Sequence, residues 1–392
     1  MNPLPHASPP TLRQWAALLA LTLAAAVFNT SEFLPTALLT SIQQDMGCTE
    51  SSVGMVISAY AWVVTLLSLP LMVLASRFSM SRTMLWVIAL FCTMQACTGL
   101  SQNYWSLLAS RLGVACAHAL FWSMASPLAV RQMPPSHQAI ALGTISVGSS
   151  VAMVAGIPLG RTAGLLLGWR GAFLCLGALS GATLAALLFL LPPSPREKPF
   201  TFQEVPGLLK ERSLRQIYLV TILAITGYFC AMSYQDAFLA KVARLDETAI
   251  TGLFFIQGTA SMAGGLLFPF CAARFRHLLP LTVLGMGIPL LLLPSAAPFL
   301  LLLALLYAIL SMANTAFNVD CQSEVVKSTR GNASTVAMAI FSGLFNLGIA
   351  MGTLAGAGIC SSLNLAGTAI AGGLLLLAAL PLFLVKGTPP RP

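Results

Sequence analysis

Pro193-Ser194-Pro195-Arg196-Glu197-Lys198-Pro199-Phe200 opens the longest polar stretch of the chain, which continues through Glu204, Lys210, Glu211 and Arg212 to Arg215. On both sides of it the sequence is a succession of apolar runs. A helix needs roughly 20 apolar residues to cross the hydrocarbon of a bilayer. Six such segments precede the stretch, at 14–39, 51–75, 83–101, 104–131, 138–166 and 169–192. Six follow it, at 213–240, 248–272, 279–298, 299–325, 333–360 and 365–386, the split near Pro294 to Pro298 being the least marked. The expected architecture is an all-α membrane protein of twelve transmembrane helices in two six-helix pseudo-repeats. Residues 1–192 form the first bundle, 193–212 a cytoplasmic linker and 213–392 the second bundle.

Composition agrees. Of 392 residues, 57% are hydrophobic and 8% charged, with mean hydropathy +0.85. Soluble domains carry about 25% charged residues, so a water-facing surface could not be covered and the lipid bilayer must be the main solvent. The segment Met1 to Pro10 is polar and Pro-rich, and the apolar run from Trp15 to Phe28 reads as a first span, not as a cleavable signal.

Lys and Arg placement sets the orientation. With the N-terminus inside, the cytoplasmic segments hold fifteen of the twenty basic residues, among them Arg13, Arg77, Arg82, Arg131, Arg196, Arg274, Lys327 and Lys386. The opposite side holds Arg161, Arg170, Lys241 and Arg244, and Arg111 lies within a span. A missed helix would invert every later loop, so the asymmetry supports the count. Both termini are expected in the cytoplasm. The net charge of +9 forms no stripe or tail, which excludes a nucleic-acid partner. Of nine cysteines only Cys48 falls in a loop, and no Cys-x-x-Cys or His/Cys cluster suggests a metal. No G-x-x-x-x-G-K-[ST] string is present, so energy would come from a gradient and no cofactor is implied.

Ionisable groups inside hydrocarbon are costly, and each is a functional candidate. Asn29, Glu32 and Thr36 share one face of span one, and Arg111, His118 and Trp122 one face of span four. Asp236 sits near the outer end of span seven. A carboxylate shielded from water can load and release a proton as a cavity opens to either side, and an imidazole can do the same. Glu32, His118, Arg111 and Asp236 are therefore the proton-coupling candidates. Against this stand plainer readings: a structural ion pair for Glu32 and Arg111, a hydrogen-bonded core residue for His118, and solvation at the interface for Asp236. Asp320, nearer the inner end of span ten, reads as interfacial.

Hydroxyl, amide and aromatic groups suit a neutral polyol. Asn29, Trp62, Trp122, Tyr234, Asn314 and Asn346 are the substrate-binding candidates. Ser58, Trp62 and Thr65 share a face of span two, and the pairs Gln257/Ser261, Asn314/Asn318 and Ser342/Asn346 recur at i, i+4. Interhelical hydrogen bonding is the alternative use of each. Spans five and eleven are both rich in small residues, from Gly143 to Gly164 and from Gly343 to Gly358. A faint echo also links Asn29–Leu34 with Ser233–Leu239. A duplicated six-helix unit around a midplane cavity is the plan of rocking transporters.

Several strings resemble the drug:proton antiporter branch of the major facilitator superfamily. They include Gly156-Ile157-Pro158-Leu159-Gly160-Arg161, Gly168-Trp169-Arg170 and Phe28-Asn29-Thr30-Ser31-Glu32-Phe33-Leu34-Pro35. Ala117-His118-Ala119-Leu120-Phe121-Trp122 is similar to the bacterial sugar efflux transporters of that branch. The resemblance implies a monomeric, non-enzymatic exporter of the inner membrane. It would move arabinose-like sugars or small glycosides outward by alternating access coupled to protons, with Glu32 and His118 in the machinery. Two departures stand out. Ser76 replaces the Asp expected between spans two and three, which implies a weaker inner gate, and Val114-Ala115 replaces the usual Gln-Gly after Arg111. Multidrug or other metabolite antiport on the same scaffold is the competing reading, and a non-transporting membrane receptor a third.

Overall fold

The computed structural model describes residues 10–383, apart from 49, 135–136, 197, 275–277, 330–331 and 363. Fifteen α-helices follow one another among the described residues. They are α1 (Leu12–Ala37), α2 (Leu39–Met46), α3 (Glu50–Ala75), α4 (Met80–Gly99), α5 (Tyr104–Gln132), α6 (Gln138–Val151), α7 (Ile157–Leu190) and α8 (Val205–Lys210). Then come α9 (Arg212–Met232), α10 (Gln235–Lys241), α11 (Glu247–Arg274), α12 (Leu278–Ala296), α13 (Leu300–Lys327), α14 (Asn332–Ser362) and α15 (Leu365–Leu377). Helices satisfy every backbone group within the segment, which is what a hydrocarbon solvent demands.

Eleven helical stretches are long and apolar enough to span a membrane. One of them, Ile140–Leu190, has 51 residues. At 1.5 Å per residue it would reach about 77 Å, more than twice the roughly 30 Å of hydrocarbon. It is two spans. Gly168 has φ 75° and ψ 159°, a conformation that only glycine adopts without strain, and the helix axis breaks there. The twelve crossings expected from the sequence are thus present. The long apolar tract after α11 also divides where the prolines suggested, with α12 ending at Ala296 and α13 starting at Leu300.

Two features differ from the expected spans. Span seven is not one continuous helix: α9 stops at Met232, a turn at Ser233–Tyr234 follows, and α10 begins at Gln235. Span one is likewise followed by the short helix α2. Span five carries a π-helical turn, Ala152–Gly156, between α6 and α7.

The small residues place the helices. An added Cβ at Gly148 would strike the Thr22 carbonyl, at Gly156 the Thr30 side chain, and at Gly160 and Gly164 the side chains of Leu34 and Leu38. These positions let α1 lie directly against α6 and α7. The second half repeats the device, with Gly348 against Ile225, Gly352 against the Thr226 carbonyl and Gly356 against Cys230 and Tyr234. Two large core clusters result. One draws on residues from Leu18 to Phe200 plus Val336 and Ala339 of α14, the other on residues from Leu214 to Ala379. The halves meet where α14 packs on α3 and α5, and where α11 packs on α6. Large apolar side chains such as Leu301, Phe189, Leu166 and Trp86 face outward, as lipid requires and water would penalise.

Outside the spans, polar contacts tie loops to helices. Asp45 of α2 pairs with Arg170 and accepts from Trp169 Nε1 at 3.1 Å, while Arg170 Nε donates to the Ser101 carbonyl at 3.0 Å. Ser76, standing where the resemblance implies an Asp, accepts from Phe200 N at 3.1 Å. Ser81 Oγ donates to the Pro192 carbonyl (2.7 Å) and Arg196 Nε to the Arg77 carbonyl (3.0 Å). The polar stretch between the halves is therefore fastened to the α3–α4 turn.

The glycine contacts give a direct check. Gly352→Val should cost on the order of 1–3 kcal/mol or more through overpacking against backbone, seen as lost monodisperse protein in detergent. Gly252→Val, which meets nothing within 4 Å, should extract like the parent.

Candidate functional site

The site begins with a defect in α1. Pro35 lies inside that helix and has no N–H, so the carbonyl four residues earlier, Ser31, loses its helical partner. A buried carbonyl must find another donor. Arg111 of α5 supplies it: Nη2 donates to Ser31 O at 2.9 Å and Nη1 to Ser31 Oγ at 3.0 Å. Gln95 of α4 also donates to Ser31 Oγ. The guanidinium lies 5.1 Å from the Tyr60 ring centroid and 5.5 Å from that of Phe173, within cation–π range. Arg111 is 2% exposed and does not reach the cavity.

One residue further along α1, Glu32 turns into a central cavity of about 190 Å³. Its partner there is His118, not Arg111. Glu32 Oε2 stands 3.8 Å from His118 Nε2, while no Glu32–Arg111 contact falls within 4.0 Å. The ion-pair alternative weighed for Glu32 and Arg111 is thus replaced by a guanidinium bound to backbone. His118 is held edge-on by Tyr60, with centroids 5.5 Å apart and planes at 71°, and its Nδ1 is buried with no protein hydrogen-bond partner. The Glu32 side chain is 16% exposed and that of His118 3%, so the carboxylate is the member of the pair that the cavity reaches first.

Polar groups from both halves line the rest. Asn29 and Phe33 of α1 and Trp122 of α5 flank the pair. Ser150 of α6 meets Ser261 of α11 at 3.3 Å, and Ser261 meets Thr315 of α13 at 2.6 Å, so hydroxyls bridge the halves. Across from α5, helix α13 presents Asn314, Asn318 and Gln322 at successive turns. From α14 come Ser342 and Asn346, together with Met338, Phe341 and Phe345. Asn346 Nδ2 donates to the Ser342 carbonyl at 3.0 Å, which leaves its Oδ1 buried without a partner, as is Asn314 Oδ1. Buried acceptors without a protein partner beside a cavity call for a donor from outside the protein.

Six of the ten candidates from the sequence converge here: Glu32, His118, Asn29, Trp122, Asn314 and Asn346. Four do not line the cavity. Arg111 stands behind α1. Trp62 is 38% exposed on α3. Tyr234 donates to the Thr353 carbonyl at 2.8 Å. Asp236 is exposed in the first turn of α10. The echo between halves is real in position: 204 residues separate Gly148 from Gly352 and also Glu32 from Asp236. The turn at Ser233–Tyr234 nonetheless carries Asp236 away from the place Glu32 holds. Asp320, expected near the interface, is 1% exposed, so its carboxylate is packed among the helices and not solvated. Ser146, Ser149, Ser150, Thr315 and Gln322 were missed as lining residues. Gln322 continues the Asn314/Asn318 spacing by one more turn, and that was the available signal.

Removing Arg111 tests the helix repair. Arg111→Ala should lower stability by about 1–3 kcal/mol through the orphaned carbonyl. Pro35→Ala, which restores the missing N–H, should recover part of that loss in the double variant, read as melting temperature in detergent.

Known proteins share this plan. A sequence model of the Major Facilitator Superfamily matches residues 19–337. A protein of Helicobacter pylori (strain G27) named "Probable sugar efflux transporter" is 38% identical over 361 residues, covering 91% of this chain and 92% of that one. A protein of Helicobacter acinonychis (strain Sheeba) with the same name is 36% identical over 365 residues with the same coverage. The crystal structure of the human organic anion transporter MFSD10 (TETRAN) superposes with TM-score 0.77 at 19% identity, over 96% of this chain and 100% of that one.

Proposed function

This chain belongs to the Major Facilitator Superfamily, and from that premise we propose that it exports small neutral sugars by alternating access, driven by protons. The observation that carries the reading is the Glu32–His118 pair, 3.8 Å apart, at the wall of a cavity whose other polar lining groups are hydroxyls and amides. The carboxylate takes a proton when the cavity faces one side and gives it up on the other. His118, within reach of the same proton, senses or relays it. Arg111 acts indirectly, by fixing the turn of α1 that carries Glu32.

The substrate class follows from the wall. No Lys or Arg lines the cavity among the described residues, so an anion has no counter-charge there. The open acceptors of Asn314 and Asn346 call for donors, which sugar hydroxyls supply. Trp122, Phe341 and Phe345 offer apolar faces for the C–H side of a sugar ring. The relatives named for sugar efflux support the same class. A volume of about 190 Å³ also lies below the roughly 300–1,000 Å³ usual for drug-sized ligands. The phenylalanines and Met338 are what favours the second reading, antiport of lipophilic drugs. In this proposal the protein is a monomer of a bacterial inner membrane, with both termini and the Lys/Arg-rich loops in the cytoplasm and Asp236 outside the proton path.

Vesicles loaded with labelled arabinose and given a pH gradient test the coupling. Efflux should follow the gradient in the parent, and Glu32→Gln should lose at least tenfold of gradient-driven transport while keeping sugar exchange. Efflux indifferent to the gradient removes the coupling. A competition panel separates the two substrate readings: unlabelled pentoses should inhibit, and lipophilic cations should not.

A further inference from the structure

Ser126 takes no part in the site described above. It lies two turns beyond His118 on α5, is 1% exposed, and is not among the cavity-lining residues. Its hydroxyl nevertheless crosses to the other half of the molecule and donates to Gln322 Oε1 of α13 at 2.7 Å. With its oxygen so occupied, the Gln322 amide directs Nε2 to Asn318 Oδ1, one turn back along α13. Asn318 therefore has its carbonyl engaged, and the group it has left for the cavity is its NH2. The neighbouring lining amide, Asn314, is in the opposite condition, its Oδ1 buried and without a partner.

An Asn side chain is ambiguous by nature, since a flip of the amide exchanges donor for acceptor. Here the links run one way along the chain Ser126, Gln322, Asn318. In this structure the serine hydroxyl gives its proton to the glutamine oxygen, the glutamine nitrogen donates, and the asparagine oxygen accepts. We propose that Ser126 and Gln322 are positioning residues that hold Asn318 with its oxygen turned to Gln322, so that the α13 wall offers a donor from Asn318 beside an acceptor from Asn314. This inference rests on the sugar reading above and narrows it. Such a wall matches neighbouring hydroxyls of a polyol, one accepting and one donating, and it mismatches a ligand that can do only one of the two.

The first link joins α5 of one half to α13 of the other. The relay is thus complete only in an arrangement where those two helices meet at their Lys/Arg-rich ends, as they do here. A separation there would release Gln322, free Asn318 to turn, and blunt the preference for substrate. Affinity would then differ between the two faces of the transport cycle without any change in the lining residues.

Titration calorimetry of the purified, detergent-solubilised full chain with L-arabinose is the test, with helix content and a single gel-filtration peak checked for each variant. Gln322→Leu should weaken binding about fivefold, the worth of one hydrogen bond, and Ser126→Ala by about two- to fivefold. The deciding readout is non-additivity. Ser126→Ala should have no further effect in a Gln322→Leu background, and neither should matter in an Asn318→Ala background. Effects that multiply in the double variants, or a Ser126→Ala protein that binds like the parent, overturn the relay while leaving the sugar reading intact. A parent protein that shows no heat with arabinose or any other pentose overturns the sugar reading and the relay with it. Should one variant fail to fold, the other closes its own cycle with Asn318→Ala.

Discussion

The bond from Arg111 to the Ser31 carbonyl is the interaction on which the site depends. Pro35 deprives α1 of one backbone donor at Ser31, which is fully buried, so water is not at hand to replace it. The repair comes from a cation on another helix, and that cation can be buried because carbonyl, hydroxyl and two aromatic faces surround it. Glu32 is the next residue along. Its position and the direction of its side chain are thus set by a contact made behind it, out of reach of the cavity. Arg111 shapes the site without entering it.

That arrangement leaves Glu32 free to face His118. Had the guanidinium met the carboxylate directly, the two charges would have satisfied each other. Bonding Arg111 to backbone keeps a positive charge near the site without consuming the acid. His118 is in turn fixed by the edge of Tyr60, the same ring that lies against Arg111. One tyrosine therefore couples the buried cation to the imidazole. The remainder of the wall is uncharged, hydroxyls and amides alternating with aromatic and apolar side chains.

The bilayer imposes the rest of the frame. Every helix must close its own backbone bonds, and helices attract one another weakly in lipid, so close approach has to come from small residues. The glycines of α6 and α7 against α1, and of α14 against α9, are that device used twice. They place α1 and α9 beside the cavity in both halves. The repetition is one of backbone packing and not of chemistry: Glu32 sits in an unbroken helix, and Asp236 lies beyond a turn.

Twelve crossings and the list of costly polar groups were legible in the sequence, because each depends on local composition read against the thickness of a membrane. The break at Gly168 and the division after Ala296 were legible for the same reason, as glycine and proline act on their own neighbours. The rotation of one helix against another was not. In the sequence an ion pair of Glu32 with Arg111 stood as one alternative. Only packing showed that the guanidinium turns to Ser31 and the imidazole to Glu32. Asp320 looked interfacial by its distance from the helix end, yet the helices around it bury it. Gln322 shared the spacing of Asn314 and Asn318, but its meaning lay in Ser126, 196 positions away in the chain. Local sequence fixes what a helix exposes around its circumference. Which neighbour each face meets is settled by contacts summed over the whole bundle, and that sum exists only in three dimensions.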